Sequence, residues 1–428
     1  MTIRRHPLRA LPPAPTRTPS RRAVLTAACA AGGTAALAAC GGSSGSGAGL
    51  SFFSWSDQET MQPLMDAFEA ANPDVRISFS SAPPVTEYVT TLQSRLLAGT
   101  GADVFVMAGE NKTNLIEAGL VRDLTPEPFL DVVAQGNKDL YSAGGKVYAA
   151  SVAAWAGGFL YNKALTDAVG MTRPPQSWDE FLQLCEALGE SGVQAFYEPG
   201  DGIPTSLAAL IGMHHRAEGG TPDADVFAGR STFVDQWGEP LTQYSRLFTE
   251  GVVDAGAATL TGDQVTAEFV NGRLAVMGSG SWSVATVREQ APDLDLGLMP
   301  VPGPTAGDTM WSGAPSPGYS INAASERVEE ARAFVGFLTS AEGTRILNST
   351  SGDITTTSDF TPEVDPVLTD ALTGLQEGDY YLPQTAWPQY QDALNTEAVA
   401  RLQQLAQGRI QPLEVAAALD AELRDAQA

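Results

Sequence analysis

Apolar positions along the chain switch between two spacings, and each switch marks an element. Leu50 to Trp55 is a short apolar run that predicts a strand. Met61, Leu64, Met65 and Phe68 then recur at three- and four-residue intervals, which puts them on one face of a helix. Asn72-Pro73 stops that helix, because the residue before a proline is pushed out of the helical region. Val75 to Phe79 alternates as a strand, Leu92, Leu96 and Leu97 mark a second helix closed by Gly99, and Asp103 to Met107 predicts a buried strand. Strands separated by helices imply an α/β fold with a parallel, doubly wound sheet.

Further along, Gly144-Gly145-Lys146-Val147-Tyr148 predicts a hairpin. Ser151 to Tyr161 is extended, apolar and rich in small residues, suited to carry the chain from one lobe to another. In Pro174-Pro175-Gln176-Ser177-Trp178-Asp179-Glu180 a helix opens, with Ser177 as N-cap and Glu180 as its capping-box partner. Helical stripes follow at Leu241 to Phe248, Val328 to Leu338 and Glu397 to Leu423, the last interrupted at Gly408 to Pro412. The about 380 residues that carry these patterns exceed what one hydrophobic core serves, so two domains are expected. No period of about 20 to 50 residues recurs, which excludes a repeat architecture.

The beginning of the chain follows other rules. Residues 1–39 contain six arginines and no acidic residue, and an alanine-rich apolar run spans Ala23 to Ala39. Ser20-Arg21-Arg22-Ala23-Val24-Leu25 resembles a twin-arginine export signal. Leu37-Ala38-Ala39-Cys40 resembles the lipobox of bacterial lipoproteins, in which the cysteine is acylated and becomes the new N-terminus. A membrane-spanning helix needs about 20 strongly apolar residues, and this run is broken by Gly32, Gly33 and Thr34. The expectation is a signal peptide over 1–39, lipidation at Cys40 and a Gly/Ser tether over 40–49. Two or more acyl chains would hold the protein on the extracytoplasmic face of the cell membrane.

Charge narrows the partners. The chain has 25 basic and 50 acidic residues; without the six arginines before Cys40 the balance is 19 to 50, a net charge of −31. Such a field repels nucleic acid. Of three cysteines, Cys29 leaves with the signal and Cys40 is lipidated, so Cys185 remains alone and no intramolecular disulfide forms. Cys185 shares a helical stripe with Phe181 and Leu188, which predicts a buried thiol rather than a nucleophile. With only His214 and His215 in the mature chain, no metal and no cofactor are expected.

Four segments in order carry a family resemblance: Phe68-Glu69-Ala70-Ala71-Asn72-Pro73; Phe159-Leu160-Tyr161-Asn162-Lys163 followed by Pro175 to Phe181; Phe269 to Met277 with Gly280-Ser281-Trp282; and Gly318 to Ser325 leading into Ala331 to Leu338. In their order and spacing they resemble the family 1 extracellular solute-binding proteins, the sugar-binding lipoproteins of ABC importers. The resemblance implies two α/β lobes, each a mostly parallel sheet flanked by helices, with the ligand in the cleft between them. On this pattern residues 50–155 and 298–345 form one lobe, and 156–297 and 346–428 the other. It also implies a monomer that captures a carbohydrate, delivers it to permease subunits and performs no catalysis.

Sugars stack their apolar CH faces on aromatic rings while carboxylates and amides take their hydroxyls. Tryptophans in loops, with acidic and amide residues nearby, are therefore the candidates. Trp55 and Asp57 follow the first strand, and Met107, Glu110 and Asn111 follow the buried strand, at the carboxyl ends where ligands of open α/β sheets collect. Glu87 precedes the second helix, Trp155 lies in the crossover, and Tyr197, Glu198 and Asp201 bracket a Pro-Gly loop. Trp282 stands among glycine and serine and is the foremost stacking platform; Trp311 with Gly313, and Trp387 with Tyr390, complete the set. For each of these an ordinary packed or loop side chain is the competing role. Two further functions stay open: an exported glycoside hydrolase, which needs paired carboxylates, and the same fold binding a peptide or polyamine.

Overall fold

The computed structural model describes residues 49–428, apart from Pro84 and Gly352. The expected signal peptide, the lipobox with Cys40 and the tether up to Ala48 lie outside the described residues. In chain order the strands are β1 (Leu50–Ser54), β2 (Ile77–Ser81), β3 (Val104–Met107), β4 (Ser142–Ala143), β5 (Lys146–Val147), β6 (Ala150–Ser151) and β7 (Ala153–Asn162). Then come β8 (Gln194–Tyr197), β9 (Leu274–Gly280), β10 (Leu296–Met299), β11 (Val301–Pro302), β12 (Thr309–Pro315), β13 (Gly318–Ile321), β14 (Ile354–Thr355) and β15 (Tyr380–Tyr381). They build a sheet in each of two lobes and the predicted β4–β5 hairpin, whose turn uses Gly144 and Gly145 at φ 57° and 78°, a region only glycine occupies freely.

The first sheet runs β2-β1-β3-β13-β6, with β1, β2 and β3 parallel. The helix Gln58–Ala71 covers it with the stripe Met61, Leu64, Met65 and Phe68, all buried as their spacing predicts. The rings of Phe52, Phe68 and Phe334 meet edge-on at 5.0 and 5.1 Å in the core of this lobe. The second sheet runs β11-β12-β7-β9-β8, with β10 and β14 also on β7. It departs from the mostly parallel arrangement expected. The ten-residue β7 pairs antiparallel with β9, β10, β12 and β14, and only β8–β9 and β12–β15 are parallel. Phe159, Trp178, Phe181 and Phe196 interlock beneath β7.

These pairings also move the expected lobe boundaries. Leu298 to Pro315, expected in the first lobe, belongs to the second sheet: β10 and β12 pair with β7, and β11 pairs with β12. Ile346 and Leu347, assigned to the second lobe, pack in the first core. Ser177 does cap its helix, accepting from Glu180 N at 3.2 Å. Glu180, however, reaches past the cap residue to Gln176 N at 2.9 Å.

Cys185 sits in the second core at 2 % exposure, and burial raises its thiol pKa far above the usual range.

Candidate functional site

Strand direction decides where the two lobes face each other. Gly318 of β13 pairs with Met107, the last residue of β3, and with Ser151, the last residue of β6. The chain therefore leaves and re-enters the first lobe at the carboxyl end of β3. In the second lobe Ala154, near the start of β7, pairs with Pro315 at the end of β12, and Gly157 pairs with Gly280 at the end of β9. The carboxyl ends of β1 and β3 thus face those of β8 and β9 across the crossing segments. Buried Asn137 staples the crossings by donating to Ser151 O and Thr356 Oγ1. The Tyr141 hydroxyl lies 3.1 Å from Met107 O and 3.3 Å from Pro315 O, within reach of both lobes.

On the first-lobe rim, Trp55 is half-buried and sets its ring edge-on to Tyr88 at 5.4 Å. Tyr88 is locked by its hydroxyl, which donates to Val106 O and accepts from Val106 N. Glu110 follows β3, and burial pushes its carboxyl above the usual range while the neighbouring Lys112 opposes the shift. Beside it Asn111 is 1 % exposed, and neither amide atom has a hydrogen-bond partner among the described residues. A buried amide left unpaired carries a desolvation cost of about 1–3 kcal/mol.

On the second-lobe rim, Trp155 and Trp282 meet edge to face at 5.2 Å and 87°. Two glycines make this possible: a Cβ on Gly280 would fall 2.3 Å from the Trp282 ring, and one on Gly157 would fall 3.1 Å from it. The indole thus lies down on bare backbone and remains 48 % exposed. Tyr197 is half-buried close by in the sheet, where burial raises its hydroxyl pKa.

Several of the other candidates are held in structural contacts. Asp57 is the N-cap of Gln58–Ala71, accepting from Thr60 N at 2.9 Å, and that bond holds its carboxyl below the usual range. Glu87 and Asp201 are exposed, and Met107 is fully buried within its sheet. Trp311 was expected to offer a stacking face; it is 3 % exposed, wedged against Gly158 and Gly374 in the core. A Cβ on Gly313 would strike Trp155 O at 2.5 Å, so this glycine serves strand packing. Trp387 has no exposure at all, stacked on Trp237 at 6.0 Å and edge-on to Phe233. Tyr390, half-buried, stands at φ 60° where Gln391–Ala406 begins.

Glu198 is buried and holds the start of Thr205–Glu218, accepting from Ser206 N and Ser206 Oγ where the N-cap residue Pro204 has no side chain to do so. Burial raises its carboxyl from 4.5 to about 7, against the pull of Ser206 and Tyr244. A pKa raised by folding gives a contribution that is full below about pH 4.5 and is lost as pH rises through about 7. The stability of the native protein relative to Glu198→Gln should therefore fall across that window. Melting temperatures of the two proteins measured from pH 4 to 8 check this, and a constant difference refutes it.

Sequence patterns missed a polar seam between the lobes. Lys112 Nζ donates to Thr385 O at 3.0 Å, Asn114 Nδ2 to Asp392 Oδ2 at 2.6 Å, and Gln391 Nε2 to Thr113 Oγ1 at 3.1 Å. Burial lowers the Lys112 ammonium pKa to about 8. Its only sequence signal is the rarity of lysine, of which the chain has four.

The second lobe offers exposed aromatic surface at Trp282, and the first lobe carries half-buried Trp55 and Glu110 after its strands, a set suited to stacking and hydrogen bonding a neutral, hydroxyl-rich molecule. Among the described residues no group of three or more His, Cys, Asp or Glu is placed to hold a metal ion. No described helix is long and apolar enough to cross a membrane.

Residues 54–345 match the family described as bacterial extracellular solute-binding protein. The multiple sugar-binding protein of Streptococcus mutans is 24 % identical over 295 residues, 66 % of this chain and 68 % of that one. The galactooligosaccharide-binding protein of Bacillus subtilis is 21 % identical over 88 % of this chain and 90 % of its own. Among solved structures, a family 1 extracellular solute-binding protein from Bifidobacterium longum subsp. infantis superposes with a TM-score of 0.74 at 29 % identity, covering 88 % of this chain and 99 % of that one. The solute-binding protein RafE in complex with raffinose gives 0.75 at 22 % identity, covering 89 % and 100 %.

Proposed function

The chain belongs to the bacterial extracellular solute-binding proteins, and from that premise we propose that it captures a di- or oligosaccharide between its lobes and passes it, unaltered, to a membrane permease. The observation that carries this reading is the Trp155–Trp282 pair, laid on glycine backbone where β9 ends, with the Trp282 indole left exposed. Relatives whose names record sugar binding support the carbohydrate class. A ligand closes two lobes only by binding the closed state better, so each rim must contribute contacts. In this reading Cys40 carries the lipid that keeps the exported receptor beside its permease.

Titration calorimetry with glucose, melibiose, raffinose and stachyose, and with spermidine and a tripeptide as counter-ligands, tests the proposal. The expected outcome is stoichiometric binding of an oligosaccharide that is recovered intact. Cleavage of the sugar would favour the hydrolase, and heat from spermidine or peptide alone would change the cargo.

A further inference from the structure

Behind Trp282 lies a second space. The helices Gly262–Val270 and Ser281–Gln290 run over the carboxyl end of β9 and leave between them a hollow of about 380 Å³. Ligand pockets span about 300–1,000 Å³, so the space suits a small guest. Small residues create it: Gly262 and Ala267 on one helix, Gly278 and Ser279 on the strand, and Ser283 on the other helix all line it. Trp282, Thr286 and Gln290 stand at four-residue intervals and so form one wall. The indole that rests against Trp155 on the cleft side therefore also lines the hollow, and the two spaces share one aromatic ring.

The chemistry of the lining is that of a neutral polyol site. Hydroxyls of Thr266, Ser279, Ser283 and Thr286, the Gln290 amide and the Asp263 carboxylate are present, and no Lys, Arg or His. Without a cation the hollow does not favour a phosphate or a uronate. Ser279 Oγ and Ser283 Oγ are 2.6 Å apart and buried. One hydroxyl of such a pair donates to the other, which leaves the acceptor with its own O–H to offer.

We propose that this hollow is a second carbohydrate subsite, holding the neutral sugar unit or branch that continues past Trp282 from the cleft. The proposal rests on the carbohydrate reading above and adds to it a reason for length: a monosaccharide fills only the cleft side of the indole.

The test fills the hollow and leaves the ring alone. Thr286 is exposed on its helix, so Thr286→Trp places bulk in the space without disturbing the core. Calorimetry compares the wild-type protein, Thr286→Trp and Trp282→Ala against glucose, melibiose, raffinose and stachyose, with melting temperatures as the folding control. For the longest sugar bound, Thr286→Trp should weaken affinity at least about tenfold, or about 1.4 kcal/mol. For the shortest it should change affinity by less than about twofold. Trp282→Ala should weaken both. Equal loss of long and short sugars in Thr286→Trp overturns the subsite, as does no loss of either, while the carbohydrate reading stands. A wild-type protein that binds none of these four, nor maltose, xylo- or chito-oligosaccharides tried in the same way, removes both.

Discussion

Truncating Trp282 to alanine should weaken sugar binding by about 2 kcal/mol or more, roughly thirtyfold in the dissociation constant. The melting temperature of the unliganded protein should fall by less than it does for a fully buried tryptophan. Both halves of this expectation follow from how the ring is held. At 48 % exposure the ring gives folding only about half of its surface, whereas a bound sugar covers the half that is left. Aromatic anchors at the centre of a contact carry most of its energy, and Trp282 joins the rim to Trp155. Trp282→Phe should retain part of the affinity, because a smaller ring still stacks. Calorimetry with the preferred sugar decides it; unchanged affinity in Trp282→Ala would remove Trp282 from the site.

Trp387 should behave in the opposite way. Fully buried against Trp237 and Phe233, it fills the core where the C-terminal helices dock on Phe233–Thr249. Replacing a buried Trp by alanine costs about 3–5 kcal/mol, the lost transfer energy plus the cavity left behind. Trp387→Ala should lower the urea midpoint by that equivalent. Trp387→Phe, which keeps most of the packing, should bind sugar as the wild type does. A loss of under about 1 kcal/mol in the alanine variant would contradict the burial. Loss of affinity in a stable Trp387→Phe would return the residue to the cleft.

The contrast between these two rings shows which information is local. Trp282 and Trp387 both stand in stretches rich in glycine, serine or proline, which by composition look like exposed loops. What separates them is the partner surface: Gly157, distant in sequence, lets Trp282 lie on top of the sheet, whereas Phe233 and Trp237 draw Trp387 beneath it. The helix stripe from Met61 to Phe68, the Ser177 cap and the β4–β5 turn were legible because each depends on neighbours a few residues away. Asp57 could have been recognised as an N-cap on the same grounds, since a helical stripe begins just after it. The antiparallel returns onto β7 were not legible, because a short apolar strand reads alike in either direction. Nor was the Asn114–Asp392 bond, whose partners are 278 residues apart. Of the expected site residues, Trp155 and Trp282 come together where β9 ends, and Trp55, Glu110 and Asn111 follow β1 and β3 in the other sheet. Trp311, Gly313, Met107 and Trp387 pass to packing.

The sealed thiol of Cys185 has a practical side. A maleimide dye needs an accessible thiolate, and this sulfur is both covered and held protonated. In the domain from Gly49 onward, a cysteine introduced at an exposed position, Glu87 in the first turn of Val85–Leu97 for instance, would therefore be the single point of attachment. A fluorophore placed there would report sugar arrival by its change of surroundings, turning the receptor into an optical gauge for its own ligand.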